Sequence, residues 1–426
     1  MMVCKRWKHV VEGSPVLWTD IWLGHSPRRQ GTTMYQEWLE SVEVQINKSG
    51  KLPLNLNIMV ECVMLDGVLR VLKPHLSRCR WLGLQVSSEK AADQSKCSRL
   101  SVYNTSSAIH KLLSSHFPAL KFLSIGDIGT SRIVKRGNDG NVTDAFVFVN
   151  APNLISITSR CPNFKTMVER SHPPGFTHSS LKELSLCGSW SDEPFVIPPN
   201  KFNLPHLKNL RLESTDYFWQ MLSALDTPCL ENLVIVCELA DWPLVSELPI
   251  NVSTMVHLRR LEWHTFSDAE YEEPSLRCLL RQSPSLDSFA YICDANFEDP
   301  GDWAGNRSGE GEIKAVLNIL FEEEAAAAKL CPNLRNLSFV FMSLDNVAGL
   351  IELRPALEHI SIQARKAEDV IVTGSKDEWM IKVDQVRWIK SRVEFVFPIL
   401  ELPTGLLQEE NVAWDPEETT DGMEGV

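Results

Sequence analysis

What the chain lacks narrows it quickly. No uninterrupted apolar run in its 426 residues approaches the ~18 that a membrane helix needs, and no signal-peptide h-region stands at the N-terminus. None of the eleven cysteines forms a C-x-x-C pair, so the close ligand spacing of zinc sites is missing. Thiols scattered singly, with no secretion signal, read as reduced and mostly buried small hydrophobes. Positive charge is scarce: 42 Lys and Arg against 55 Asp and Glu leave a net charge of −13. Nucleic-acid binders normally carry a basic face, so that balance argues against one. H-E-x-x-H, G-x-S-x-G, G-x-x-x-x-G-K-[ST] and G-x-G-x-x-G are all absent from the sequence, which removes the usual zinc, serine-nucleophile and phosphate-cradling constellations. The eleven histidines are scattered, none with a partner at metal-ligand spacing. The expectation is a soluble cytoplasmic or nuclear protein that is not an enzyme, with no metal, cofactor, nucleic acid or membrane to bind.

What is present is a repeated phrase. "FPALKFLSI" (117–125), "APNLISI" (151–157), "SSLKELSL" (179–186), "LPHLKNLRL" (204–212) and "TPCLENLVI" (227–235) share the form P-x-L-x-x-L-x-L. "MVHLRRLEW" (255–263), "SPSLDSFAY" (283–291), "CPNLRNLSF" (331–339) and "RPALEHISI" (354–362) continue it. Successive leading leucines, from Leu120 to Leu357, are 34, 27, 26, 23, 28, 28, 48 and 23 residues apart. Most of these intervals fall in or near the ~20–29 residue period of leucine-rich repeats. The L-x-L pair has period two, so its leucines share one face of a short strand and the residue between them takes the other. Proline stands two residues before the leading leucine in seven of the nine phrases. It cannot continue a helix, so it separates an incoming segment from the strand. Several incoming segments have helical period: Ile109, Leu112 and Leu113; Phe218, Met221, Leu222 and Leu225; Ile313, Val316, Leu317 and Leu320.

A unit of helix, proline turn and strand cannot bury its own apolar face, but stacked copies can. The predicted fold is therefore α/β, a leucine-rich-repeat-like solenoid with a curved parallel sheet and outer helices over 101–400. The asparagine or cysteine that ladders the ninth position of standard repeats is replaced here, for instance by Ser189, Thr215 and Phe266, so an irregular convex side is expected. Residues 25–100 read as degenerate lead-in repeats. Leu54, Leu56, Ile58 and Val60 alternate as a strand, Leu65, Val68, Leu69 and Leu72 make a helix face, and 79–86 form a further strand. Gly- and Asp-rich insertions are expected at 126–144 and 294–311. An acidic tail without basic residues at 408–426 reads as disordered.

The opening is helical in rhythm. Val3, Trp7, Val10 and Val11 fall on one stripe, Gly13 ends that helix, and Ser14-Pro15 starts a short second one carrying Val16, Leu17 and Trp18. Residues 1–24, with V-C-x-x-W at Val3, Cys4 and Trp7, Val10-Val11, and L-W at Leu17-Trp18, resemble the second half of an F-box. An F-box ahead of irregular leucine-rich repeats, with "EWLE" at 37–40 and "CRWLGLQV" at 79–86, is similar to the fungal group of F-box proteins. The L-P-x-E first half is not in this sequence; either it lies upstream of Met1 or the chain carries a half-module.

That resemblance implies the substrate-recognition subunit of an SCF-type ubiquitin ligase. Val3, Cys4, Trp7, Val10, Leu17 and Trp18 would bind the Skp adaptor of the cullin complex, and the repeats would hold an unknown protein substrate. The alternative is a leucine-rich-repeat scaffold with no ubiquitin role, its Trp7 and Trp18 packed in a helical cap. In either case the residues flanking the L-x-L leucines should line the concave face. Glu183, Asn209, Arg211, Asn232, Arg260, Glu262 and His359 are the candidate substrate-binding residues, with Arg211 and Arg260 as the expected hot spots.

Overall fold

The P-x-L phrase closes the same turn in almost every repeat. In a computed structural model, which describes residues 4–24, 33–59, 65–85, 112, 115–126, 151–160, 180–187, 202–213, 222, 225–237, 255–265, 273–293, 316, 319–320, 330–339, 344–362 and 387–396, the amide of the leading leucine donates to the carbonyl three residues back. Leu120 to Phe117, Leu154 to Ala151, Leu207 to Leu204, Leu230 to Thr227, Leu258 to Met255, Leu286 to Ser283, Leu334 to Cys331 and Leu357 to Arg354 span 3.0–3.2 Å. Proline occupies the second turn position in seven of these eight, with Val256 in the other. Its fixed φ suits that position. The proline is thus a turn residue, and the segment arriving at it need not be helical. Leu225, expected to end a helix, lies instead in a two-residue strand.

Two units divide the chain, Met1–Leu230 and Glu231–Val426. In the first, α1 (Lys5–Glu12) and a 3-10 turn (Pro15–Trp18) lead to β1 (Asp20–Leu23), α2 (Thr33–Lys48), β2 (Leu54–Met59) and α3 (Leu65–Leu72). β3 (Cys79–Gln85), β4 (Phe122–Ile125), β5 (Ser156–Arg160), β6 (Glu183–Cys187), β7 (Phe202–Asn203), β8 (Asn209–Glu213) and β9 (Leu225–Asp226) follow. β1, β2, β3, β4, β5, β6 and β8 pair in that order, all parallel, while β7 and β9 pair apart from them. The second unit holds β10 (Asn232–Cys237), β11 (Arg260–Thr265), α4 (Glu273–Arg281), β12 (Ser288–Cys293), β13 (Asn336–Phe339), α5 (Leu344–Leu353), β14 (His359–Ile362) and β15 (Glu394–Val396). Its six strands also pair parallel in sequence order. The fold is α/β. The sequence pattern anticipates the lead-in elements β2, α3 and β3; it does not announce β1, α2 or β15. The expected insertions beyond Gly126 and at 294–311, and the tail at 408–426, lie outside the described residues.

Successive repeats are joined through one carbonyl each. The residue after the leading leucine accepts two amides from the next repeat: Ile155 and Ser156 onto Lys121, Lys182 and Glu183 onto Ile155, Lys208 and Asn209 onto Lys182. The second unit repeats this at Glu231, Arg259, Asp287 and Arg335. Using both lone pairs fixes strand register before any side chain is considered. Turn side chains add a second ladder, with Asn153 Nδ2 donating to the Pro118 carbonyl at 2.8 Å and Asn333 Nδ2 to the Pro284 carbonyl at 3.1 Å.

The leading leucines are buried throughout, and the strand leucines fill the same side, as Leu210, Leu212, Leu233 and Ile235 do. Each fully buried leucine contributes about 1.5–3 kcal/mol. In the second unit aromatic residues take over, with Trp263, Phe289, Tyr291 and Phe339 all inside. Phe289 and Phe339 meet edge to face at 6.4 Å.

Two arginines tie backbone ends that the repeats leave open. Arg78 reaches the Ile46 and Leu52 carbonyls and the Ser49 hydroxyl at 2.8–3.0 Å, closing the C-terminal end of α2. Arg354, only 8% exposed, takes the place that apolar or small residues hold in other turns. Its guanidinium donates to the carbonyls of Leu320, Leu330 and Cys331 at 2.8–3.3 Å. Burial lowers its pKa and, next to it, pushes the Cys331 thiol up to about 12. Arg354→Met should destabilise the protein by roughly 3 kcal/mol, about 1 for each carbonyl orphaned. Arg354→Lys should recover little, because one ammonium cannot reproduce the planar fork. Urea unfolding followed by tryptophan fluorescence measures both.

Candidate functional site

The adaptor-binding candidates occupy α1 and the 3-10 turn. Cys4 is the N-cap of α1 and exposed; Val3 lies outside the described residues. Trp7 is 65% exposed, Val10 47%, Val16 63% and Leu17 57%. Trp18, by contrast, is half-buried. Its indole Nε1 donates to the Val11 carbonyl at 2.9 Å, and Lys48 Nζ of α2 sits 4.3 Å from its ring centroid. Trp18 therefore anchors the module while Trp7 and Leu17 stay outside, so the two tryptophans do not share a core.

On the sheet, every candidate substrate-binding residue alternates away from the buried leucines, as period two requires. Glu183 pairs in register with Asn209, and Ser185 with Arg211, in the first unit. Asn232 pairs with Arg260, and His359 with Glu394, in the second. The arginines among them are paired. Arg211 Nε lies 3.0 Å from Glu213, and Arg260 forms an ion pair with Glu262. His264 Nε2 approaches Glu262 at 3.6 Å, and His359 Nδ1 lies 3.5 Å from Glu394. The Glu262 carboxyl titrates below its ordinary range, chiefly through His264, with Arg260 adding to the effect and burial opposing it. Glu213, His264 and Glu394 were not among the candidates. For the first two, the signal was one further step of the same alternation, R-L-E at 211–213 and E-W-H at 262–264.

Two concavities mark the first unit. One, of about 600 Å³, lies against β1–β4 and is lined by Asp20, Trp22, Asn55, Asn57, Trp81 and Phe122, with Ile21 and Arg80. The strand register places Asp20, Asn55, Trp81 and Phe122 in one row, and Trp22, Asn57 and Gly83 in the next. Trp81 lies over Gly83, where a Cβ would stand 2.2 Å from the indole ring; the missing side chain makes room for the tryptophan. Asn55 Nδ2 donates to Asp20 at 2.6 Å, and the buried Asn57 Oδ1 has no hydrogen-bond partner.

The other concavity, also about 600 Å³, follows the turns that precede β4, β5, β6 and β8. Arg80, Lys121, Lys182 and His206 line it beside Asn153 and Ser180. Arg80 belongs to both, at a β-bulge where register with β2 slips between Leu54 and Asn55. Neither concavity was anticipated. The basic one was legible in the residue after the leading leucine: lysine in "ALKFL", "SLKEL" and "HLKNL".

Among the described residues no group of three or more His, Cys, Asp or Glu could hold a metal ion, and no helix is long and apolar enough to cross a membrane. These surfaces carry paired charges on the strands, an aromatic hollow and a basic one. Because a lowered carboxylate pKa stabilises the native state above the ordinary carboxylate range, the Glu262 contribution is complete above about pH 5 and disappears as pH falls through its folded value. Glu262→Gln should lower Tm at pH 7, and the gap from wild type should narrow as pH falls below the ordinary carboxylate range. Thermal melts across that range check it.

No family model and no curated protein matches the chain. A solved structure of a Bacteroides fragilis protein from a structural genomics consortium aligns with it at 14% identity, covering 71% of this chain and 70% of that one, with a TM-score of 0.34.

Proposed function

We propose that the chain is the substrate-recognition subunit of an SCF-type ubiquitin ligase, with its parallel strands forming a leucine-rich-repeat solenoid that holds a protein substrate. The observation that carries this reading is the clustering of exposed large apolar side chains at one place. Trp7, Val10, Val16 and Leu17 stand in water within eleven residues of sequence, on elements fastened to α2 through Trp18 and Lys48. Large apolar side chains left in water so close together in the chain favour an interaction site, and these residues coincide with the part of the sequence that resembles an F-box. With Trp18 half-buried against Lys48, Trp7 and Leu17 are left outward and available to a partner such as the Skp adaptor. The strands then serve the other task. Their leucines are committed to the core, and the intervening side chains are exposed without costing stability, so binding surface can vary independently of fold.

Co-expression of the full gene product with a Skp adaptor, followed by affinity purification, tests the reading. The adaptor should be recovered with wild type. Trp7→Ala combined with Leu17→Ala should reduce recovery at least tenfold while leaving Tm within about 2 °C, since both side chains are already solvated. Absence of the adaptor from the wild-type complex would refute the ligase role, and equal recovery with the double variant would move the adaptor surface elsewhere.

A further inference from the structure

We infer that the basic hollow along the turns of the first unit binds an extended, aspartate- and glutamate-rich segment of a partner protein. The inference names the class of substrate segment for the recognition role proposed above, and it rests on the sheet as the substrate-holding element, not on the adaptor.

The main-chain positions are fixed. Arg80 accepts the Lys121 amide at 2.9 Å, Lys121 accepts two amides of the β5 repeat, and Lys182 accepts two of the β8 repeat. Arg80 and Lys121 consequently sit on adjacent strands about 4.8 Å apart, and Lys121 and Lys182 about twice that, with Ile155 between them. All three basic side chains are exposed, as is His206. The floor between them is held by its own bonds: Asn153 Nδ2 to the Pro118 carbonyl, and the Ser180 hydroxyl within 2.9 Å of the Pro152 and Leu154 carbonyls.

Charge decides the occupant. Arg211, Arg260 and Arg335 each have a carboxylate partner within their own unit. Among the described residues, Arg80, Lys121 and Lys182 have none, and no carboxylate lines the hollow. The corresponding positions of the second unit alternate in sign: Glu231, Arg259, Asp287, Arg335 and Glu358. A chain with a net charge of −13 thus keeps one row of like cations unneutralised on a rigid edge. An extended segment advances about 3.4 Å per residue and shows alternate side chains on one side, so glutamates at every second residue stand about 6.8 Å apart facing the row, within reach of the long Lys121 and Lys182 side chains. Nucleic acid is the poorer fit, because a chain with a net charge of −13 repels a long run of uninterrupted phosphates.

The test uses purified protein without adaptor, so failure here and failure of the ligase reading are separate results. A fluorescein-labelled peptide of about a dozen alternating Glu and Ser residues is titrated by anisotropy at about 50 and 300 mM salt, ionic strengths that bracket strong and weak screening. Binding should be saturable, fall at least tenfold at high salt, and fall at least tenfold again in Lys121→Glu with Lys182→Glu. Lys121→Gln with Lys182→Gln should show a smaller loss, and the melting temperatures of both variants should stay near wild type. Wild-type affinity in the charge-reversed variant would overturn the site. Equal affinity for a Lys-Ser peptide, stronger binding of a single-stranded oligonucleotide of equal length, or binding only of the phosphoserine version would overturn the carboxylate assignment.

Discussion

One carbonyl per repeat holds this structure in register. The residue after each leading leucine accepts two amides from the following repeat, and the turn before it is closed by the leucine's own amide. These bonds determine which side chains can reach the core, because a slip of one residue would turn every leucine to water. They also fix the spacing of what lies outside. The side chain of the carbonyl-bearing residue projects at the turn edge once per strand, so whatever the sequence places there becomes a regular row. In the first unit that row is basic; in the second it alternates in sign. A backbone device for stacking repeats therefore determines where charge accumulates.

The fold was largely legible, and the reason is periodicity. L-x-L with a preceding proline specifies strand, turn and buried face by local rules that tertiary context does not override. What escaped was set by single residues without period. The turn arginine Arg354 reads as an ordinary surface cation until three carbonyls surround it. β1 is four residues long, Asp20–Leu23, and carries too little alternation to stand out from the helices before it. Leu225 belonged to a helical pattern that the turn geometry interrupted.

The candidate site divides in the same way. Which residues face outward followed from alternation, and all seven sheet candidates do. Which of them are available for a partner depended on pairings beyond the repeated phrase. Arg211 and Arg260, the expected hot spots, each pair with a carboxylate two residues further on. An arginine so paired must give up that contact before it can bind another anion, which discounts its value as a hot spot. The unopposed charge lies at Arg80, Lys121 and Lys182, positions whose role is visible only once the carbonyl ladder is known. At the N-terminus the apolar stripe divides: Trp7 and Val10 are exposed, while Val11, like Trp18 of the following turn, is half-buried.

Amide hydrogen exchange tests the carbonyl ladder most directly. If it organises the repeats, the amides of Leu154, Ser156, Leu207, Asn209, Leu258, Arg260, Leu286 and Ser288 should be protected at least a hundredfold over an unstructured chain. Turn-tip amides such as those of Asn153 and His257 should exchange quickly. Rapid exchange of the leucine and ladder amides, at the rate of those turn tips, would contradict the account.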